Sequence, residues 1–346
     1  MANRDLRPRW DAGCAARSSH GALALTWFEH RRTKELCAGL GIELVVLASA
    51  LPGPLRYVAL GGRTLALLAR RRPQILLVQN PSLILAALAA AVRGVLGYRL
   101  IADAHNEAVA PFINRQRWVT RLSRWVIRRA DLTIVSNRQL AERVVRQGGR
   151  AFALPDRVPA PPPAPRRTLD GAFNVVLIAT FAPDEPVAEV LEAVRGVEVE
   201  LYVTGDQRKL HGAVAATVPA NVHFTGFLGE LDYWTLLRSA DAIVDLTLMD
   251  DCLVCGSYEA LALGKPMLLS SNSASVELFG DCAVFTNNTV GDIRAALGRL
   301  RLEQVRLHAA AERKRGELVD LWTASARSLG GLLARPRARA GSGLVN

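Results

Sequence analysis

The chain is predicted to fold as two doubly wound parallel α/β domains joined by a short proline-rich segment. Three observations carry this expectation. Short apolar runs alternate with helical stretches through the first 154 residues. The segment PDRVPAPPPAPRR (155–167) then interrupts, too dense in proline to join helix or sheet. After it the same alternation restarts. With 346 residues, 50% hydrophobic and 22% charged, the chain can fill two ordinary cores and does not have the composition of a disordered one.

In the first half the strand-like runs are ALALTW (22–27), IELVVLA (42–48), QILLVQ (74–79), YRLIAD (98–103) and DLTIVS (131–136). Each is continuously apolar, as expected of strands covered on both faces. RRTKELCAGL and SRWVIRRA between them read as helices. PSLILAALAAAV (81–92) meets Arg93 well short of the roughly 20 residues that span a bilayer, so it reads as a buried helix. The second half supplies FNVVLIA (173–179), VELYVTG (199–205), NVHFTG (221–226), DAIVDLT (241–247), PMLLSS (266–271) and CAVFT (282–286). The expected layout is a Rossmann-like domain over 1–154, a linker over 155–170, and a second Rossmann-like domain over 171–302. Two helices over 303–334 and a disordered Arg/Gly-rich tail over 335–346 complete it.

Charge is unevenly divided. Residues 1–150 hold 24 Lys and Arg against 9 Asp and Glu, a net of +15, so with +11 overall the remainder carries −4. A basic first domain suits a polyanion or an anionic membrane. RQRWVTRLSRWVIRR (115–129) sharpens that reading. On a helix, Trp118, Val119, Leu122, Trp125 and Val126 share one face, and Arg117, Arg121, Arg124 and Arg128 another. Basic amphipathic helices of this kind lie on anionic membrane surfaces, although an ordinary packed helix with a solvated Arg face reads the same way. No nucleic-acid motif is present, and the aromatics do not interleave with arginine.

The five cysteines (Cys14, Cys37, Cys252, Cys255, Cys282) are odd in number and scattered. That fits a reduced, cytoplasmic chain rather than a disulfide framework. The polar, arginine-rich first twenty residues do not resemble a signal peptide. Cys252 and Cys255 form one C-x-x-C without the second pair that structural zinc needs, so they read as thiols packed in a loop, and no metal is expected.

The densest chemistry lies in DDCLVCGSYEALALGKPMLLSS (250–271). Ligands of open α/β sheets bind beyond the carboxyl ends of strands, where loops enter helices, and residues 248–257 form such a loop. Gly256 permits close backbone approach, and the first N–H groups of the helix suit an anion. Glu259, in the first helical turn, can accept from both vicinal hydroxyls of a ribose.

Asp251, seven residues and Glu259, followed by ALALGKPMLLSS, resemble the E-x7-E element of retaining glycosyltransferases of family 4, which have the GT-B fold. The likeness extends to NVHFTGFLGELDYWTLLRSADAIVDLT (221–247) and YVTGD (202–206), and more faintly to DAHN (103–106). It implies that Glu259 binds the donor ribose, while Asp251, shorter by one methylene than the family's Glu, and His105 lie near the transferred sugar. Cys255, Gly256 and Ser257 would contact the donor along the loop. The Arg…Lys pair that the family places after the first strand of the second domain is replaced by ATFAPDEP (179–186). Arg208, Lys209 or Arg31 would then meet the phosphates, with His30, Arg31 and Asn106 facing the acceptor. A nucleotide-sugar donor, a lipid-linked or saccharide acceptor and no cofactor follow, for a protein peripheral on the inner face of the membrane. A sugar-nucleotide epimerase of the same fold and a non-catalytic scaffold are the alternatives.

Overall fold

The computed structural model describes residues 21–79, 82–111, 116–209, 218–334 and 343–344. The first domain runs β1 (Ala22–Thr26), α1 (Arg31–Leu40), β2 (Glu43–Val46), α2 (Gly53–Arg71), β3 (Ile75–Gln79), α3 (Leu83–Leu96) and β4 (Arg99–Asp103). It continues with α4 (Asn106–Val109), α5 (Arg117–Arg129), β5 (Leu132–Val135), α6 (Arg138–Arg146) and β6 (Arg150–Ala153). The second comprises β7 (Asn174–Leu177), α7 (Val187–Ala193), β8 (Glu200–Thr204), β9 (Val222–Gly226), α8 (Glu230–Ser239) and β10 (Ala242–Asp245). α9 (Cys255–Ala262), β11 (Met267–Ser270), α10 (Ser273–Phe279), β12 (Ala283–Thr286), α11 (Val290–Leu302) and α12 (Gln304–Ala334) follow.

The strands form two wholly parallel sheets, ordered β6-β5-β4-β3-β1-β2 and β12-β11-β10-β7-β8-β9. Every expected strand is present. β6 was not expected, because RAFA is too short an apolar run to stand out. The expected tail lies outside the described residues except for β13 (Gly343–Leu344), which pairs in parallel with β6. Strands β1, β3, β5, β7, β10 and β11 are buried along their whole length, which is why they read as unbroken apolar runs. Helices lie on both faces of each sheet and bury leucine, valine and alanine stripes against them. α3 is the buried helix expected of the apolar run, with Leu85, Ala86, Ala89 and Ala90 at 0% exposure.

The chain crosses between domains twice. The proline-rich linker does not hang free: Val158 joins the second core, the Arg167 N–H donates to Ser239 Oγ at 2.9 Å, and the Asp170 N–H donates to Tyr202 at 3.2 Å. The second crossing is α12. Where the sequence suggested two helices there is one of 31 residues, about 46 Å long, since no proline interrupts 304–334 and an internal glycine costs only about 1 kcal/mol. Its first half packs Leu307, Ala310, Ala311 and Leu318 on the second domain. Its second half packs Trp322, Ala326, Leu329 and Leu333 on Leu36, Ile75, Ile134 and Phe152 of the first.

Trp322 anchors this return. Gly39 on α1 makes room for it, since a Cβ there would sit 2.2 Å from the indole, and the Arg157 guanidinium lies 5.2 Å from the ring centre. Truncation removes a large buried surface with little room to collapse. Trp322→Ala should therefore lower stability in urea unfolding by about 3 kcal/mol. A loss below about 1 kcal/mol would mean that α12 is not anchored there.

Candidate active site

The carboxyl ends of the two sheets face each other, and the loops beyond β1, β4, β5 and β6 meet the segments beyond β10 and β11. The two carboxylates singled out by the sequence lie in this seam. Glu259 is only 7% exposed and both its oxygens are engaged. Oε1 accepts from Arg31 Nη1 at 2.8 Å, across the cleft at the start of α1. Oε2 accepts from the Tyr233 hydroxyl on α8 at 2.5 Å. Burial first, and the Glu259 carboxylate second, push the Tyr233 phenol well above its ordinary value, so it remains a donor. For Arg31, burial opposes the charge, but Glu259 and its neighbours more than restore it.

Asp251, 8% exposed, is held as firmly. Oδ2 accepts from Arg143 Nε at 2.8 Å and from Nη2 at 2.6 Å, and Oδ1 accepts from Ser273 Oγ at 2.9 Å. Its carbonyl accepts from Asn106 Nδ2 at 3.0 Å and from Asn137 Nδ2 at 2.8 Å. Its backbone is left-handed, with φ at +53°, a conformation that Asp tolerates better than longer side chains. That is a physical reason for Asp at this place in the motif.

The start of α9 is occupied from within. The Gly256 N–H donates to Asp245 Oδ2 at 2.8 Å, and a Cβ at 256 would sit 2.5 Å from that oxygen and 2.6 Å from Ile178. The glycine thus admits a buried carboxyl of the same domain. Burial pushes the Asp245 carboxyl well above its ordinary range, against the pull of the Gly256 N–H. Ser257 is fully buried and donates to Val254 O at 2.6 Å, whereas Cys255 is exposed. Asp156, Asp245 and Glu259 are the acids nearest Cys255. In the loop beyond β7, Glu185 accepts from Thr180 N at 2.9 Å and Oγ1 at 2.7 Å, and from Ala182 N at 3.3 Å. An internal carboxylate fills that turn.

His105 caps α4 just beyond β4 in the cleft, edge-to-face with His30 at 4.7 Å, and among the described residues neither His105 Nε2 nor His30 Nδ1 has a hydrogen-bond partner. Beneath them Arg32 is buried, bonding Asp103 Oδ1 and Leu154 O at 2.9 and 3.0 Å and pairing also with Asp156. Arg208 and Lys209 are not brought to Glu259. Arg208 forks onto Asp206 at 2.8 and 2.9 Å, Lys209 donates to Thr180 O at 3.3 Å, and both line a separate cavity of about 690 Å³ with Phe224 and Phe227. Among the described residues, no three His, Cys, Asp or Glu side chains converge as metal ligands would.

Helix α5 departs from its expected faces. Val119, Ser123, Val126 and Ile127 form the buried stripe, while Trp118 is 60% and Trp125 38% exposed. The stripe turns because α5 packs on α3 and α4 through its valines and isoleucine rather than its indoles. Arg121 is exposed, Arg128 Nε donates to Gln147 O at 2.8 Å, and Arg124 turns toward the interdomain seam. Sequence reading missed Tyr233, Arg143 and Asn137. Tyr233 lies beside Trp234 in an apolar helix and looks like core, and nothing marks Arg143 among the many arginines of the first domain.

Burial holds the His105 imidazole near pH 4, against the pull of Asp103, and that of His30 is lowered too. The unfolded chain therefore takes up a proton between pH 6.5 and about 4 that the native state refuses. The contribution is fully present above pH 6.5 and is lost as pH falls through that window. His105→Gln should flatten the fall in urea stability between pH 7 and 5. A native His105 resonance titrating near 6.5 by NMR would contradict this.

Residues 24–155 match a family model described as Glycosyltransferase Family 4. No curated protein matches the chain by sequence. Among solved structures, HepE of Anabaena, crystallised with UDP and glucose, superposes with a TM-score of 0.69 at 12% identity, covering 91% of this chain and 99% of that one. Sucrose-phosphate synthase of Thermosynechococcus elongatus gives 0.69 at 14%, covering 88% and 84%. A protein of Listeria monocytogenes assigned as a UDP-N-acetylglucosamine 2-epimerase gives 0.55 at 12%, covering 89% and 94%. At such identities the likeness establishes the fold. The family match falls on the first domain, where the sequence resemblance had been fainter. The chain thus has the GT-B fold, and its first domain is similar to the model of glycosyltransferase family 4.

Proposed function

We propose that this protein is a retaining glycosyltransferase that moves a sugar from a nucleotide-diphosphate donor onto a lipid-linked saccharide or polysaccharide precursor. The observation that carries this is Glu259, fixed by Tyr233 at the floor of the interdomain cleft and paired across it with Arg31. Ribose hydroxyls can take the place of the Arg31 guanidinium on Oε1. Arg31, so released, can turn to the diphosphate and supply charge that the acidic loop 179–186 lacks. The match of the first domain and the presence of UDP with glucose in the HepE structure support the same reading.

In the reaction the bond from sugar C1 to phosphate oxygen breaks, and a bond from C1 to the acceptor oxygen forms on the same face. The acceptor proton passes to the departing diphosphate. Neither a protein nucleophile nor a bound metal is required in this scheme; guanidinium charge and positioning lower the barrier. Asp251 and the neutral His105 border the transferred sugar, and Asn106 holds the 250–251 backbone beside them. The enzyme would sit on the cytoplasmic face of an anionic membrane. Among the described residues no helix is long and apolar enough to cross a membrane. Trp118 (60% exposed), Leu55 (62%) and Val58 (72%), with Arg121 of α5, are the groups offered to lipid. The Listeria neighbour favours one second reading, epimerisation of a sugar nucleotide. Nucleoside diphosphate released only when acceptor is present separates the two.

A panel of sugar nucleotides, UDP-sugars first, should raise the thermal midpoint of the native protein, and Glu259→Ala should abolish that shift. Undiminished stabilisation and turnover in the variant would refute the assigned role.

A further inference from the structure

A second constellation of guanidinium groups lies beside the clamp on Asp251. Arg124 of α5 and Arg143 and Arg146 of α6 line a cavity of about 450 Å³, bounded on the second domain by Met249 and Asp250. Arg143 is committed to Asp251. The other two are not so balanced. Arg146 reaches only Glu142, at 3.8 Å, with its side chain 65% exposed, and Glu142 is already bonded to Arg138 at 2.5 Å. Arg124 makes no ion pair among the described residues and is exposed. One acid, Asp250, thus lies with an unpaired Arg124 and a loosely paired Arg146 in a concave site shaped by both domains.

We infer that this cavity is a phosphate subsite for the acceptor, which rests on the transferase reading above. Guanidinium forks match phosphate oxygens in pairs, and two from adjacent helices can hold one phosphate or diphosphate. The donor is not the occupant, because the cavity shares no residue with the Glu259–Arg31–Tyr233 constellation and is walled mainly by the first domain. It adjoins Asp251, so a phosphorylated acceptor held here presents its hydroxyl toward the sugar. Two sources carry that chemistry, a lipid phosphate and a soluble sugar phosphate. Helix α5 bears on its opposite side an apolar groove of about 330 Å³ lined by Tyr57, Leu83, Ile84, Trp118 and Leu122.

The test is calorimetric titration of inorganic pyrophosphate into the full-length protein saturated with UDP, for wild type and for Arg124→Gln/Arg146→Gln. Both side chains are exposed, and an unchanged urea midpoint verifies the fold. Pyrophosphate should bind alongside UDP, and the double variant should lose at least about tenfold in pyrophosphate affinity while keeping its UDP affinity, as expected for two lost charge-assisted contacts. Equal pyrophosphate affinity in the two proteins overturns the inference, as does displacement of pyrophosphate by UDP. If neither UDP nor any other nucleoside diphosphate of the panel binds, the transferase reading fails by itself, and the same comparison on the free protein decides the anion site. Two further arms separate the sources. A wild-type advantage on phosphatidylcholine vesicles containing phosphatidic acid assigns the lipid, and one with glucose 1-phosphate in solution assigns the soluble acceptor.

Discussion

Everything at the centre of this molecule depends on two guanidinium–carboxylate contacts that cross the cleft, Arg31 to Glu259 and Arg143 to Asp251. Each joins a helix of the basic first domain to the one acidic loop–helix element of the second. Largely buried carboxylates are costly unless paired, and here each has a cation and a hydroxyl. The asymmetry of charge along the chain thereby acquires a location. The first domain brings positive charge to a second-domain rim that carries Asp184, Glu185, Asp245, Asp250, Asp251 and Glu259.

On the proposed reading the same contacts would couple closure of the domains to ligand. A donor on Glu259 would displace Arg31, and the guanidinium released would have diphosphate oxygens to meet. A ligand shifts such an equilibrium only by its preference for one arrangement over the other, and this exchange of partners supplies one. The linker and α12 are the two crossings, and each is packed on the domains it joins.

The fold was legible because strands covered on both faces must be apolar throughout, and ALALT, ILLVQ and MLLS announce themselves that way. β6 was not, since RAFA gains its burial only from tertiary neighbours. Glu259 was legible as the acid of a short helix entered through a glycine, although α9 begins at Cys255 and sets Glu259 just beyond the first turn where it was expected. Its partners were not. Arg31 lies 228 positions away and Tyr233 26, and no local pattern encodes which arginine of a basic domain will face which acid. The same limit explains α5, whose indoles and valines fit one helical stripe on paper, although packing on α3 and α4 selected the valines. Gly256 was read as a place of close ligand approach, and the structure shows a further reason for glycine there, since Asp245 and Ile178 take the space a Cβ would fill.

The most direct test is a crystal structure of the protein with a bound UDP-sugar. The account predicts that the ribose hydroxyls lie within hydrogen-bond distance of Glu259, that Tyr233 still holds the other carboxylate oxygen, and that Arg31 has moved onto the diphosphate. A nucleotide bound elsewhere while the Arg31–Glu259 pair stays intact would contradict it.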